Sequence, residues 1–191
     1  MPDRDSLAER GRAREDEYFW KKDRELLEKI RQAKSADLAR QDLGRKAGLE
    51  DPALVQELQE LGFTAETVDL LPLVPILQVA WAEGGITSAE RDLILRIARS
   101  RGIEAGGAAD RKLTEWMTTV PSDAVFAGAR RLIRAMLSSG STETAIDGSD
   151  LVKHCEEIAS ASGGIFGVRR VSAEERELLA GIAADLAARR S

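Results

Sequence analysis

A short segment of this chain occurs twice, and the repeat constrains the fold more than any other feature. Ile86–Ala98 (ITSAERDLILRIA) aligns without gaps on Val171–Ala183 (VSAEERELLAGIA). Each copy follows a glycine pair, and the second copy has IFGVRR inserted in the connecting loop. Self-similarity of this kind indicates a duplicated supersecondary unit. The repeat therefore predicts two helix–loop–helix units of the same design within one domain.

Both copies of the repeat combine a helix-initiation signal with a core-forming pattern. Thr87 and Ser172 stand at N-cap positions, and a glutamate follows each of them three residues later, at Glu90 and Glu175, as in a capping box. We expect the apolar residues that follow to form the buried face of each helix. These residues are Leu93, Ile94 and Ile97 in the first copy and Leu178, Leu179 and Ile182 in the second.

Residues 5–46 contain no proline and are typical of a charged helical arm. A continuous helix of this length spans roughly 60 Å, and two helices broken near Ser35 fit the pattern equally well. An apolar face continues with heptad spacing after Phe19, but Asp23 and Asp37 occupy would-be core positions. The pattern leaves a weak homodimer open and does not favour a stable coiled coil.

Local signals divide the rest of the chain into further helices. Asp51 and Pro52 predict the start of a short helix that Gly62 closes. Pro72 and Pro75 fit the first turns of a helix running to about residue 83. No segment alternates with period two as a half-buried strand does, and the remaining helices are expected at 88–101, 109–118, 122–138, 149–162 and 173–189.

The predicted fold class is all-α, with a long N-terminal helical arm followed by a duplicated helical bundle. We expect a charged arm with an aromatic cluster at 1–46, a short helix and linker at 47–64, and the duplicated domain at 65–191. Trp81 and Trp116 lie within predicted helices and are expected in the core.

Charge is distributed unevenly between the arm and the body. Residues 1–46 hold 13 Lys/Arg and 11 Asp/Glu, a balance of +2, which leaves 28 − 13 = 15 against 33 − 11 = 22, or −7, for residues 47–191. An acidic body argues against a nucleic-acid partner. The arm mixes both signs too evenly to be a phosphate-binding tail.

Several features predict a cytoplasmic protein. The single cysteine, Cys155, allows no internal disulfide and suits a reducing compartment. We find no secretory leader pattern at the N-terminus. The longest apolar run, Leu70–Ala82, is too short to span a bilayer, so any membrane association would be peripheral and through a complex.

The segment before the first repeat copy completes a recognisable motif. Residues 82–90 read AEGGITSAE, which resembles the Ala-Asp-Gly motif of the TerB family of tellurite-resistance proteins, with Glu83 in place of the usual Asp. The resemblance implies an all-helical, duplicated domain over roughly residues 65–189, associated with stress responses and protein assemblies. Some relatives are thought to bind cations through the acidic residues, here Glu83 and Glu90. The second copy has Ser162 where that acid should be.

Three aromatic residues, Tyr18, Phe19 and Trp20, stand side by side in the charged arm of a chain that has eight aromatics. Successive residues on a helix are about 100° apart, so the three side chains point around most of the helix. No single flat surface buries all three. The cluster predicts a binding element that enters a cleft or is held from two sides.

The arm also holds a spaced set of residues around this cluster: Arg10, Ala13, Glu15, Tyr18, Phe19, Glu25 and Leu27. At unchanged spacing the set resembles the inhibitory segment of the mitochondrial F1-ATPase inhibitor protein family, over about 20 residues. The resemblance implies a helix that inserts between catalytic α and β subunits and stops ATP hydrolysis. Tyr18 and Phe19 would then be anchors in apolar pockets, while Arg10, Glu15 and Glu25 would pair with charged subunit faces.

The arm departs from that family in its means of control. It lacks the histidine-bearing coiled coil that the inhibitors use for dimerisation and pH regulation, so the TerB-like body is the expected regulator. Two further hypotheses stay open. The aromatic residues dock in a groove of the chain's own body, or they bind a different protein partner.

No catalytic constellation is present in the sequence. His154 and Cys155 are adjacent, and neighbours on a helix point about 100° apart, which makes a poor nucleophile–base pair. We expect a structural role for both, with no cofactor and no assigned metal site. The predicted function is a non-enzymatic bacterial regulator whose arm binds a protein partner through Tyr18, Phe19 and Trp20, most specifically an F-type ATP synthase. The alternative is a tellurite-resistance type of stress protein that binds a divalent cation or assembles with proteins.

Overall fold

The computed structural model describes residues 3–82, 84–139, 148–161 and 173–187, with side chains described over 18–82, 84–138, 148–161 and 176–184. Within these ranges the regular secondary structure is helical and no strand occurs, which confirms the all-α prediction. The α-helices are α1 (Asp3–Ala47), α2 (Pro52–Glu60), α3 (Val74–Ala80), α4 (Ser88–Ser100), α5 (Ala108–Trp116), α6 (Asp123–Ser139), α7 (Gly148–Ala161) and α8 (Ala173–Ala187), and a 3₁₀ helix covers Val68–Leu73.

Helix α1 is continuous through Ser35, where the sequence left a break open. Helix α2 begins as predicted, because the Asp51 carboxylate accepts the Ala53 N–H at 2.9 Å. Gly62 follows its C-terminus with φ at 84°, a left-handed conformation that glycine adopts without steric cost.

The region around the two prolines differs from the prediction. Pro72 lies inside the 3₁₀ helix instead of opening an α-helix, and α3 begins only at Val74 and ends at Ala80. Pro75 has no N–H to bond the Leu71 carbonyl, and its ring would crowd that carbonyl in a continuing α-helix. The Val74 N–H bonds the Leu71 carbonyl instead in the tighter 3₁₀ pattern, so two short helices replace one.

The chain divides into two compact units, Met1–Gln41 (unit 1) and Asp42–Ser191 (unit 2). Unit 1 is helical over its described residues, all of which belong to α1. Unit 2 holds the last residues of α1 and all the other helices.

Helix α3 lies at the centre of unit 2. Of its seven residues only Gln78 is not fully buried, as expected for a helix that is apolar all round. Helices α6, α7 and α8 pack against it, and α7 also packs against α4. The apolar run that the sequence showed to be too short for a membrane is therefore the centre of the hydrophobic core.

The end of α1 belongs to the same core. Leu43 and Ala47 are buried, together with Val55 and Leu58 of α2. Gly44 permits this packing because a Cβ at that position would lie 3.1 Å from a Val55 methyl group. Residues 42–64 thus contribute to the hydrophobic core of unit 2.

The first copy of the repeat has the predicted capping box. The Glu90 N–H donates to the Thr87 hydroxyl at 3.3 Å, and the Thr87 N–H donates to the Glu90 carboxylate at 2.7 Å. Ser172 and the Glu175 side chain lie outside the described residues. The core positions correspond in the two copies, since Ile94 and Ile97 are buried in α4 and Ile182 in α8, with Leu93, Leu178 and Leu179 half-buried.

Candidate functional site

The aromatic cluster of α1 is exposed. Tyr18, Phe19 and Trp20 have 58%, 61% and 74% of their surface accessible. The Tyr18 and Phe19 rings meet edge to face with centroids 6.0 Å apart, and the Lys22 ammonium lies 5.8 Å from the Tyr18 ring centre. The three side chains therefore contact little beyond their own helix, which leaves most of their apolar area available.

Further exposed apolar residues of α1 extend this surface. At about 100° per residue they fall, with Phe19 and Trp20, within roughly 120° of the helix circumference, whereas Tyr18 points away on the other side of Phe19. We call these six residues the exposed stripe: Phe19, Trp20, Leu26, Leu27, Ile30 and Leu38. An apolar stripe of this width is typical of a helix that packs against another element.

The charged residues of α1 include pairs within the helix itself. Lys22 lies 3.8 Å from Glu25, and Arg40 lies 3.7 Å from Asp37, each pair three residues apart and well exposed. Exposed pairs of this kind stabilise a helix by about 0.5 kcal/mol or less. Pairs of this kind therefore add little to the stability of α1.

All eight residues predicted to bind a partner lie on α1. The side chains of Arg10, Ala13 and Glu15 are outside the described ones. Those of the other five are exposed: Tyr18, Phe19, Trp20, Glu25 and Leu27. The prediction omitted Leu26, Ile30 and Leu38 from the site, although their spacing from Phe19 places them on the same face of the helix.

A second feature, a cleft of about 440 Å³, lies within unit 2. The last turn of α1, the 3₁₀ helix, the end of α4, and helices α6 and α7 contribute to its walls. Its lining combines apolar and ionisable side chains: Lys46, Ala47, Val68, Asp69, Leu71, Pro72, Ser100, Arg101, Met136, Asp150 and His154. The volume is in the range, roughly 300–1,000 Å³, of clefts that bind small molecules.

Two polar atoms at this cleft, Arg101 Nε and His154 Nδ1, are buried and have no hydrogen-bond partner within the described part of the chain. Lys46 is paired, since its Nζ lies 3.1 Å from the Asp69 carboxylate. Burial lowers the pKa of Arg101 below its ordinary value, and the nearby Asp150 carboxylate opposes that shift. Buried polar groups normally have partners, so these two atoms mark the interior of the cleft as a polar site.

Cys155, next to His154, is fully buried. Burial raises the pKa of its thiol to about 12, and Glu156 adds to the shift. Reactive cysteines have a depressed pKa and partial exposure. The Cys155 thiol has the opposite properties, as its expected structural role requires.

Of the two acidic residues in the motif that resembles the TerB family, the structure describes only Glu90. Glu83 lies outside the described residues. Glu90 is 1% exposed, and its Oε2 accepts both the N–H and the hydroxyl of Thr87 at 2.7 Å. Across the part of the chain with described residues, no group of three or more His, Cys, Asp or Glu side chains is arranged to hold a metal ion.

Trp116 is buried in the core, as predicted. Trp81 is only half-buried, and its Nε1–H donates to the Trp116 carbonyl at 2.9 Å. Among the described residues no helix is both long and apolar enough to cross a membrane.

Comparisons with protein-family models, with curated proteins and with solved structures find no match to this chain.

Proposed function

We propose that the protein is a non-enzymatic regulator that binds a protein partner through Tyr18 and the exposed stripe of α1. The exposure of three consecutive aromatic side chains, at 58%, 61% and 74%, is the observation that carries this proposal. Exposed apolar patches of several side chains mark interaction sites in proteins. Aromatic residues are also the commonest source of binding energy at protein interfaces.

The arrangement of these side chains defines the shape of the partner. From Phe19 to Leu38 the stripe is roughly 28 Å long, which suits a groove that accepts a helix. Tyr18 points outside the stripe, so a partner that also covers Tyr18 must contact the helix from a second side. A cleft between two subunits or domains meets both requirements.

The partner that best fits this description is the catalytic part of an F-type ATP synthase. The resemblance of Arg10 to Leu27 to the mitochondrial inhibitor segment supports this choice, because that segment inserts as a helix between two subunits. In this proposal Tyr18 and Phe19 anchor α1 in apolar pockets and block the closure that ATP hydrolysis requires. Unit 2 then regulates or docks the complex.

ATP hydrolysis by the F1 complex of the source organism, with the full-length protein added, tests the proposal. The wild-type protein is expected to inhibit. The Tyr18→Ala/Phe19→Ala variant should need about 30-fold more protein for half-inhibition, which corresponds to a loss of about 2 kcal/mol at an anchor pair.

Val120→Ala provides the matched control, because Val120 is an apolar residue of unit 2 with 52% exposure. It should leave inhibition unchanged within about threefold. No inhibition at about 30 µM wild-type protein, or equal inhibition by the double variant, would reject F1 as the target of α1.

Self-association through the same stripe has a distinct signature. Sedimentation equilibrium would then show a dimer whose dissociation constant rises in the Tyr18→Ala/Phe19→Ala variant and not in Val120→Ala. A monomer for all three proteins over the concentrations of the ATPase assay excludes a second copy as the occupant of the stripe.

A further inference from the structure

The cleft of unit 2 is separate from the aromatic surface of α1 and has its own chemistry. Its lining includes Arg101 and His154, and neither Arg101 Nε nor His154 Nδ1, both buried, has a hydrogen-bond partner among the described residues. An N–H donor that is removed from water without an acceptor destabilises the fold. A ligand that brings an acceptor close to Arg101 Nε removes that penalty.

The fold positions these groups from different elements. Arg101 follows the last turn of α4, where its backbone N–H bonds the Ile97 and Ala98 carbonyls. Asp150 and His154 are four residues apart on α7 and therefore share a face of that helix. Because α4 and α7 pack against each other, the guanidinium and the imidazole border one cleft.

The charges around the cleft select the charge of the ligand. Asp69 is neutralised by Lys46 at 3.1 Å, whereas Asp150 remains as an acidic wall residue opposite Arg101. A dianion would be repelled more strongly than a monoanion by the Asp150 carboxylate, since like charges at close range disfavour each other. A single negative charge is matched by the guanidinium of Arg101.

The rest of the lining selects the body of the ligand. Val68, Leu71, Pro72 and Met136 give the cleft an apolar wall. A cleft that combines apolar side chains with a few charged or polar groups is typical of sites for small organic molecules, and this lining has five apolar and six polar or ionisable residues.

We propose that this cleft binds a small monocarboxylate with an apolar body, its carboxylate accepting from Arg101 Nε and contacting His154, its hydrocarbon part lying along Leu71, Pro72 and Met136. The residues that line this cleft all belong to unit 2, whereas the residues of the exposed stripe all belong to unit 1.

The chain offers clean spectroscopic probes for this proposal. His154 is the only histidine, and Met136 is one of three methionines. NMR of the full-length protein with ¹³C-labelled histidine and methionine methyl groups therefore gives one signal from a polar lining residue, His154, and one from an apolar lining residue, Met136. Met117 is buried in the core and does not line the cleft, so its methyl signal is an internal control.

Titration with hexanoate should shift the His154 ring and Met136 methyl signals saturably, with a Kd of about 1 mM or tighter, and leave Met117 unchanged. Hexanamide has the same hydrocarbon chain without the charge and should bind about tenfold more weakly, because hydrogen bonds to charged groups are the stronger ones. Inorganic phosphate should also bind about tenfold more weakly than hexanoate.

Arg101→Gln removes the charged donor and should weaken hexanoate binding about tenfold. Arg96→Gln is the matched control, since Arg96 is exposed on the same helix and does not line the cleft. If Arg101→Gln does not fold, the hexanoate and hexanamide titrations of the wild-type protein decide the question alone.

Three results would overturn the proposal. Absence of a saturable His154 shift with hexanoate would show that the cleft does not bind a monocarboxylate. Equal binding of hexanamide would show that the ligand's negative charge does not contribute to binding. Phosphate binding as tight as that of hexanoate would replace a monocarboxylate with an inorganic oxyanion.

Discussion

Units 1 and 2 use similar apolar residues in opposite ways. In unit 2, Leu70 to Leu77 are all buried, and α3 is surrounded by other helices. In unit 1, Leu26, Leu27 and Ile30 lie on α1, and more than half of each side chain is exposed. Apolar side chains stabilise a fold by roughly 25 cal/mol for each Å² they remove from water.

An apolar pattern in the sequence of a helix therefore predicts a face that packs against another element, but it does not identify that element. In unit 2 the covering elements are other helices of the same chain. The exposed stripe of unit 1 is the reason to seek a partner for this protein.

The largest effect is expected from truncating a core leucine. Leu77→Ala should lower the free energy of unfolding by about 2–5 kcal/mol, because Leu77 is fully buried in α3 and truncation leaves a cavity. Leu27→Ala removes the same atoms from a side chain that is 56% exposed, and should cost about 0.5 kcal/mol or less.

Urea unfolding in a Trp20→Phe background measures both variants, since the two remaining tryptophans lie in unit 2. Similar losses for the two leucines would mean that α1 is covered in solution by part of the chain itself or by a second copy.

The second effect concerns the buried thiol of unit 2. The pKa of Cys155 is raised to about 12 from 9.0, so the folded state holds the proton more tightly than the unfolded state. The thiol's contribution to stability is complete below pH 9 and is lost as the pH rises towards 12. Between pH 9 and pH 10.5 this loss amounts to about 2 kcal/mol.

Unfolding of the wild-type protein and Cys155→Ala at several pH values isolates this contribution as the difference in slope. Native protein should also react slowly with a thiol reagent at pH 8, and unfolded protein quickly. Rapid labelling of native protein would show that the core around α7 opens readily in the folded state.

A local hydrogen bond should have a smaller effect than core burial. Thr87→Ala removes the capping box at the start of α4, and should cost about 1 kcal/mol. Thr118→Ala is the control, because the Thr118 hydroxyl is exposed and donates only to the Thr114 carbonyl at 2.9 Å; a change within about 0.5 kcal/mol is expected. Thermal unfolding of the two variants provides the comparison, and equal losses would deny Thr87 a capping role.

The smallest effect on stability is expected at the aromatic cluster. Replacing Tyr18, Phe19 and Trp20 together by alanine should change the free energy of unfolding of unit 2 by about 0.5 kcal/mol or less, because exposed residues contribute little. Trp116 fluorescence during urea unfolding gives the measurement. A larger loss would favour docking of the aromatic residues on the chain's own body over an external partner.

Most helix boundaries follow from local chemistry and were predictable. The caps at Asp51 and Thr87 and the glycine at 62 act on backbone groups within a few residues. The segment with Pro72 and Pro75 was predicted less well. Both prolines permit a first turn of α-helix, but Pro75 lacks the N–H that would bond the Leu71 carbonyl, and a 3₁₀ helix precedes α3 instead.

Of the two candidate sites, the sequence predicted the aromatic cluster and did not predict the cleft. Tyr18, Phe19 and Trp20 are adjacent in the chain, so their composition alone revealed them. The cleft combines Lys46, Arg101 and His154, which are separated by about fifty residues each. No spacing rule joins such positions. From the sequence, His154 was considered only together with Cys155, whereas the cleft places His154 beside Arg101.

The all-helical class, the starts of α2 and α4 and the aromatic cluster of α1 were predictable from the sequence, because helix propensity, capping and composition act over short distances. Three features became visible only in the folded chain: α3 lies at the centre of unit 2, the end of α1 packs in unit 2, and Arg101 and His154 border one cleft. These features depend on which faces pack together, and packing is a property of residues distant in sequence.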